Sequence, residues 1–175
     1  TLTNVNSSVT EGEPVIVAYE VTNTGDIQDT QDIEFTINGT TEAIETGVTL
    51  NGSETFSGQF RYQTLVGDIP AVTVAVSSTD DTTSESVTVN EPATFEVTLT
   101  SVNSSVTGGE SITVAYDVTN TGDVQDTQAV AFTLNGTHET NDTVVSRHRR
   151  ETINGQFTYQ TVAGYTPPVT FAVSS

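Results

Sequence analysis

The chain contains one stretch of sequence twice. Residues 1–78 align with residues 98–175 at a constant offset of 97 positions and without a gap. The first copy begins TLTNVNSSVTEGEPVIVAYE, the second begins TLTSVNSSVTGGESITVAYD, and both later contain GQF-x-YQT. Self-similarity at a fixed period is the signature of a repeated structural unit. The sequence therefore predicts two tandem domains of the same fold, residues 1–91 and 92–175.

Within each copy, apolar and polar residues alternate with a period of two. Val15, Val17 and Tyr19 share one parity, whereas the opposite parity is variable, because Ile16 of the first copy becomes Thr113 in the second. This alternation predicts half-buried antiparallel strands. The predicted core of the first copy is Val15, Val17, Tyr19, Val21, Ile33, Phe35, Ile37, Phe56, Phe60, Tyr62, Val72, Val74 and Val76, and that of the second is the residues 97 positions later.

Turn signals separate the predicted strands. Asn-Gly occurs at residues 38–39, 51–52 and 135–136, and this pair favours type I′ hairpin turns because both residues tolerate positive φ. We predict seven strands in the first copy, at residues 1–5, 15–22, 30–37, 42–50, 54–64, 71–78 and 84–90. Short strands at this spacing indicate an all-β fold of two tandem immunoglobulin-like antiparallel β-sandwich domains.

The two copies differ at their ends. Val87 and Val89 predict a last strand for the first copy that the second copy does not show, and residues 93–97 predict an earlier start for the first strand of the second copy. Open strand edges are usually covered. Three explanations stay open: a trimmed or partly ordered chain, a piece of a longer array, or a strand donated by a neighbouring subunit.

The charge limits the class of partner. The net charge is −19, from 23 acidic residues against four arginines, with no lysine and no cysteine. A nucleic-acid-binding protein needs a positive surface, so we expect no nucleic-acid partner. Acidic side chains without lysine are typical of proteins adapted to molar salt, and a merely acidic extracellular protein is the alternative. No apolar run predicts a membrane span.

The run G-E-x-x-x-V-x-Y-x-V-T-N-T-G-D occurs at residues 12–26 and 109–123, and each run is followed by an F-x-Y-Q-T strand. Both copies resemble CARDB-type domains, the cell-adhesion-related immunoglobulin-like modules of bacterial and archaeal surface proteins, including many from haloarchaea. The resemblance implies an extracellular β-sandwich of an adhesion, surface-layer, filament or spike protein. It implies no catalytic residues.

The repeated NTGD run offers carboxylates for a calcium site. Asp26, Asp29 and Asp32 in the first copy, and Asp123 and Asp126 in the second, are candidate Ca²⁺ ligands. The spacing is not that of an EF-hand, and Ala129 replaces Asp32 in the second copy. The alternative interpretation is a turn in which Asn and Asp satisfy backbone groups.

Other chemistry has little support in the sequence. His138 and His148 are not accompanied by cysteine, and no G-x-S-x-G motif is present, so we expect no enzyme activity and no catalytic residues. Arg147, Arg149 and Arg150 form a basic cluster. This cluster predicts either a solvated edge protected by charge or a head-to-tail contact with an acidic face of the next molecule.

N-glycosylation sequons are more frequent than the composition predicts. The six candidate acceptors of N-linked glycans are Asn6, Asn38, Asn51, Asn103, Asn135 and Asn141.

Together these features predict an extracellular structural or adhesion glycoprotein of a haloarchaeal cell surface. We expect it to be a filament subunit that assembles head-to-tail with copies of itself by strand donation. The alternatives are an accessory module that binds carbohydrate or a protein partner, and a component of a viral spike or surface layer. Tyr165 is the one tyrosine predicted to be exposed for sugar binding.

Overall fold

The structure, a computed structural model, describes residues 1–103, 105–164 and 170–174, and it gives the backbone alone for residues 142–147, 171 and 173. The chain divides into two compact units, Thr1–Glu91 and Pro92–Ser175, which we call unit 1 and unit 2. The all-β prediction is confirmed, with antiparallel sheets arranged as sandwiches. In the described residues, no helix is long or apolar enough to cross a membrane.

Unit 1 contains two sheets and one short 3₁₀ helix, Val66–Asp68. Its strands are β1 (Leu2–Val5), β2 (Ser8–Thr10), β3 (Pro14–Thr22), β4 (Asp29–Ile37), β5 (Thr40–Leu50), β6 (Thr55–Gln63), β7 (Ala71–Ser77) and β8 (Thr82–Asn90). One sheet has the order β1-β3-β6, and the other has the order β2-β8-β7-β4-β5. The pairing of β2 with β8 is parallel, whereas the other pairings of unit 1 are antiparallel.

Unit 2 repeats most of this scheme. Its strands are β9 (Phe95–Val102), β10 (Ser111–Asn120), β11 (Asp126–Leu134), β12 (Thr137–Arg147), β13 (Thr152–Gln160) and β14 (Phe171–Ser174). The sheets have the orders β13-β10-β9 and β12-β11-β14, and both are antiparallel. Residues 105–107, which correspond to β2, do not form a strand. In unit 1, β2 exists by pairing with β8, and no described strand of unit 2 corresponds to β8.

The predicted core parity is confirmed where side chains are described. Val15, Val17 and Tyr19 of β3 pack against Phe35 and Val74 from the other sheet, and all five are at most 2% exposed. Unit 2 buries Ile112, Val114, Tyr116, Val118, Val130, Phe132, Leu134 and Phe157. Alternate residues of a strand point to opposite faces, which is why one parity forms the core of each sandwich. Val169 lies outside the described residues.

A stack of three aromatic rings joins the two sheets of each unit. In unit 1 the ring of Phe60 lies between those of Tyr19 and Phe35, with centroid distances of 5.0 and 4.9 Å and interplanar angles of 10° and 9°. Burial raises the pKa of the Tyr19 hydroxyl above its usual value, and the nearby charge of Glu45 adds to the shift. Unit 2 repeats the stack with Tyr116, Phe157 and Phe132, at 5.0 Å for each pair.

The stack requires a glycine on the neighbouring strand. Tyr19 pairs with Gly58 and Tyr116 pairs with Gly155. The tyrosine ring lies across the glycine, and a Cβ on Gly58 would overlap the hydroxyl end of the Tyr19 ring, with its Cε1 at 2.8 Å. The first residue of the GQF motif is therefore fixed by the ring that covers it.

One turn prediction is wrong. Asn38-Gly39 and Asn135-Gly136 have the positive φ angles of type I′ turns, but neither Asn51 nor Gly52 has positive φ. In this turn the positive φ is at Ser53, at 64°. The reason is that β5 and β6 belong to different sheets, so residues 51–54 turn a corner and do not close a hairpin. Gly52 allows its backbone to lie close to that of Asp26, because a Cβ at this position would be only 2.6 Å from the Asp26 backbone.

We expect Gly58→Ala to lower the free energy of unfolding of unit 1 by about 1–3 kcal/mol, because the added methyl group displaces Tyr19 from the stack. Urea unfolding followed by the tyrosine signal measures the change. Gly67→Ala is the matched control, because a Cβ at Gly67 has no heavy atom within 4 Å. Equal stability of the two variants would contradict the steric role of Gly58.

Candidate functional site

The repeated NTGD run forms the connection from β3 to β4 and from β10 to β11. In unit 1 the Asn23 side chain donates from Nδ2 to the carbonyl oxygens of Ile27 at 2.7 Å and Leu50 at 3.0 Å, and its Oδ1 accepts from the Gly25 N–H at 3.0 Å. The side chain thus satisfies two backbone groups of a tight bend and one at the end of β5.

Unit 2 builds the same bend. Asn120 donates from Nδ2 to the Val124 carbonyl at 2.8 Å and accepts from the Gly122 N–H at 3.0 Å. This run therefore forms a bend in both units, and the asparagine, which precedes the aspartates, is its central residue.

An open cleft of about 800 Å³ lies beside this bend in unit 1. Its floor is apolar, with Ile33, Val48, Leu50 and Val76, and its rim is polar. Ile27 lines the cleft and is 79% exposed. The cleft combines an apolar floor with a polar rim, as binding sites commonly do.

The acidic part of the rim is organised by Gln31. Its amide nitrogen donates to the carboxylates of Asp29, at 2.9 Å, and Asp80, and its Oε1 accepts from the Thr79 N–H at 3.2 Å. The hydrogen bond from Gln31 lowers the pKa of Asp29 below its usual value, and a backbone bond from Thr30 adds to this. Asp29 therefore stays negatively charged near neutral pH.

The predicted calcium ligands are used in different ways. Asp29 accepts from Gln31, and Asp32 accepts from the Gly47 N–H at 2.8 Å, where Gly47 has a φ of 69° at a bulge between β4 and β5. In unit 2, Ala129 replaces Asp32 and Val144 replaces Gly47. The aspartate and the glycine are therefore either both present or both absent.

In unit 2, Asp123 pairs with Arg149 at 2.5 Å, and Asp126 accepts from the Thr127 N–H at 2.7 Å. Within the described ranges, no group of three or more His, Cys, Asp or Glu side chains is arranged to hold a metal ion. Calcium binding by Asp26, Asp29, Asp123 and Asp126 stays a prediction.

One arginine of the cluster forms an ion pair within unit 2. Arg149 takes the position of Gly52, and its partner Asp123 takes that of Asp26, so an ion pair replaces the close backbone approach of unit 1. Arg149 is 57% exposed, so this pair contributes little stability. Arg150 is the residue with positive φ in this turn, at 57°. The Arg147 side chain is outside the described atoms.

All six sequon asparagines are exposed. Asn38 and Asn135 accept through Oδ1 from the N–H groups of Thr73 at 2.8 Å and Thr170 at 3.0 Å. Asn6 accepts in the same way from Ile16 at 2.7 Å. In the described part of the chain, the Nδ2 atoms of these three residues have no hydrogen-bond partner. Because an N-linked glycan is attached at Nδ2, these turns can keep their hydrogen bonds when modified.

The other three sequon asparagines use their side chains more fully. Asn103 accepts from the Thr113 N–H at 2.7 Å and donates from Nδ2 to the Ser111 carbonyl at 3.1 Å. Asn51 donates from Nδ2 to Glu54 at 2.9 Å, and Asn141 is 2.7 Å from His138 Nε2. At Asn51 and Asn103 the Nδ2 atom already donates a hydrogen bond, and a glycosylated Nδ2 keeps only one N–H with which to maintain it. These two asparagines are therefore less favourable sites for glycosylation.

The remaining candidate site residues are two histidines on the surface and one tyrosine outside the described residues. His138 and His148 are both exposed. Tyr165, the predicted exposed ring for a sugar site, is outside the described residues.

No protein-family model matches the chain, and no curated protein matches it. Among solved structures, the chain is similar to the crystal structure of red sea bream transglutaminase, with a TM-score of 0.38 and 14% sequence identity. The match covers 99% of this chain and 28% of the transglutaminase chain, so this chain spans under a third of that protein's length. A likeness at this TM-score carries no argument about function.

We expect the chain recovered from its native host to exceed 18.5 kDa by whole glycan units, with modification at Asn6, Asn38 and Asn135. Intact-mass spectrometry measures this. Thr40→Ala removes the sequon of Asn38 and leaves the asparagine in its turn, so it should lower the mass by one glycan. An unmodified mass from the native host would contradict the prediction.

Proposed function

We propose that the chain is an extracellular structural glycoprotein of a haloarchaeal surface, a CARDB-like filament subunit that assembles head-to-tail with copies of itself. Each unit is a sandwich with its own core and its own aromatic stack, and such a repeat of one module suits a load-bearing protein. The high acid content and the exposed sequons support a surface in molar salt.

The observation that carries the proposal is the pairing of β7 with β8 in unit 1, because β14 has the position of β7 in unit 2. In unit 1 the equivalent strand β7 is paired on one side with β4 and on the other with β8, over seven residue pairs from Ala71↔Thr88 to Ser77↔Thr82. In unit 2, β14 pairs with β11, and no strand in the described part of the chain lies on its other edge.

An open edge presents unpaired N–H and C=O groups to any extended segment of suitable pattern. Unit 1 shows what such a segment is like, because β8 covers the edge of β7 with alternating polar residues and the buried Val87 and Val89. In the proposed assembly a β8-like strand from another copy pairs with β14, and repetition of this heterologous contact generates a linear polymer.

A second candidate is an accessory module that binds carbohydrate or a protein partner. The cleft of unit 1, with its apolar floor and acidic rim, favours this function. The two candidates differ in what they predict for the pure chain, because a binding module stays monomeric and a filament subunit does not.

We expect the chain in molar NaCl to form linear assemblies in electron micrographs and to sediment faster as its concentration rises. Ala172→Lys places a charge on β14 and should shift the protein toward monomer, because edge lysines oppose further pairing. Ala75→Lys is the matched control on β7, where both edges are already paired. A monomer at every concentration, without fibres, overturns the filament proposal and leaves the binding module.

A further inference from the structure

Four asparagines of the chain are followed by glycine, and the structure places these pairs in three different settings. The pairs are Asn38-Gly39 and Asn135-Gly136 in the hairpin turns, Asn51-Gly52 at the corner between β5 and β6, and Asn154-Gly155 within β13. The backbone nitrogen of a glycine can attack the side-chain amide of the asparagine before it, because no Cβ shields that nitrogen. The setting of each pair decides whether this reaction can take place.

The hairpin turn of unit 1 leaves the reacting groups accessible. Asn38 and Gly39 are both exposed, and a Cβ on Gly39 would have no heavy atom within 4 Å, so there is room for a ring to close. In the described part of the chain, neither the Gly39 N–H nor Asn38 Nδ2 has a hydrogen-bond partner. The attacking nitrogen and the leaving nitrogen are therefore both free to react.

The side-chain carbonyl of Asn38 is held by a donor. Its Oδ1 accepts from the Thr73 N–H at 2.8 Å, and negative charge develops on this oxygen when a nucleophile adds to Cγ. A donor that is already in place stabilises such a charge. Unit 2 repeats the arrangement, because Asn135 Oδ1 accepts from the Thr170 N–H at 3.0 Å.

The corner at Asn51 restrains the same groups. Asn51 donates from Nδ2 to Glu54 at 2.9 Å, and its Oδ1 accepts from Gln28 at 3.0 Å, so both ends of the amide are bound. The position of a Cβ on Gly52 is 2.6 Å from the backbone of Asp26. This close packing opposes the movement by which the Gly52 nitrogen would reach the side chain.

The strand at Asn154 ties up the attacking nitrogen. Hydrogen-bonded pairs recur at every second residue of an antiparallel ladder. The Asn120 N–H donates to the Glu151 carbonyl at 3.1 Å, so Gly155, four positions further along β13, is also in a hydrogen-bonded pair, with Tyr116. The ring of Tyr116 covers Gly155 as well.

We propose that Asn38 and Asn135 are sites of spontaneous deamidation in the unglycosylated chain. At Asn38, the Gly39 nitrogen gives its proton to solvent and bonds to Cγ, and Nδ2 takes up a proton and leaves as ammonia. Water then opens the cyclic imide at one of its two carbonyl carbons, so the products are aspartate and isoaspartate. Each event adds one negative charge, and isoaspartate also adds a methylene group to the backbone of the turn.

The same chemistry gives the sequon of each hairpin turn a role. An N-linked glycan is attached at Nδ2, which is the leaving atom of the deamidation, and its bulk hinders closure of the ring. A glycan at Asn38 or Asn135 therefore protects the turn that carries it. This role rests on the proposed glycosylation, whereas deamidation of the unmodified chain does not.

The first experiment incubates the 175-residue chain, produced without glycans, in molar NaCl at neutral and alkaline pH. Peptide mapping by mass spectrometry measures aspartate and isoaspartate at each pair over time. Deamidation at Asn38 and Asn135 should be at least about tenfold faster than at Asn51 and Asn154. The rate should rise with pH, because the nucleophile is the deprotonated nitrogen. A rate at Asn51 or Asn154 that equals those of the hairpin turns overturns the proposal.

A variant tests the role of the glycine, with the other unit as its control. Gly39→Ala places a methyl group beside the attacking nitrogen and should slow deamidation at Asn38 at least about tenfold. Asn135, in the same molecule, should react as it does in the unaltered chain. Equal rates at the two asparagines of this variant contradict attack by the glycine nitrogen.

The second experiment uses protein from the native host. Thr40→Ala removes the sequon of Asn38 and leaves the Asn38-Gly39 pair intact, so deamidation should accumulate at Asn38 and not at the glycosylated Asn135. The two proposals fail separately. A native chain without glycans that deamidates at both turns overturns the protective role and keeps the reactive sites. A glycosylated native chain whose unglycosylated form reacts equally at all four pairs keeps the glycoprotein and overturns the reactive sites.

Discussion

The stack of one tyrosine and two phenylalanines is the interaction on which each unit depends. In unit 1 it begins at Tyr19 and Phe60 in one sheet and ends at Phe35 in the other, with about 5 Å between ring centres, so it sets how the two sheets face each other. The glycine opposite the tyrosine follows from it, because the tyrosine ring lies across the next strand.

Duplication makes each unit a control for the other. The core positions of β3, β4 and β6 recur in β10, β11 and β13, whereas the edges differ: β8 covers β7 and holds β2 in unit 1, and Pro92–Val97 covers the NTGD bend in unit 2. The proposed assembly draws on this comparison, because β8 beside β7 shows the kind of strand with which this sheet pairs.

The sequence predicted the strands and the core because side-chain parity is set by local pattern, as at Val15, Val17 and Tyr19. The prediction of a hairpin at Asn51-Gly52 was wrong. A turn closes a hairpin only if the strands on either side belong to the same sheet, and the local sequence does not show to which sheet β5 and β6 belong. Strand β2 was missed because its three residues are held by a strand about eighty positions away. The cleft was missed because the early start of the second copy at residues 93–97 was interpreted as a strand, without its consequence for the bend beside it.

Hydrogen exchange at single amides tests the central claim most directly, that the two units are one sandwich with different segments covering it. The Thr121 N–H is bonded to Thr94, and the equivalent Thr24 N–H has no partner in the described residues. The account predicts that Val17 and Val114 are similarly protected in the two cores, while Thr121 exchanges at least about tenfold more slowly than Thr24. Equal rates at Thr24 and Thr121 would contradict it.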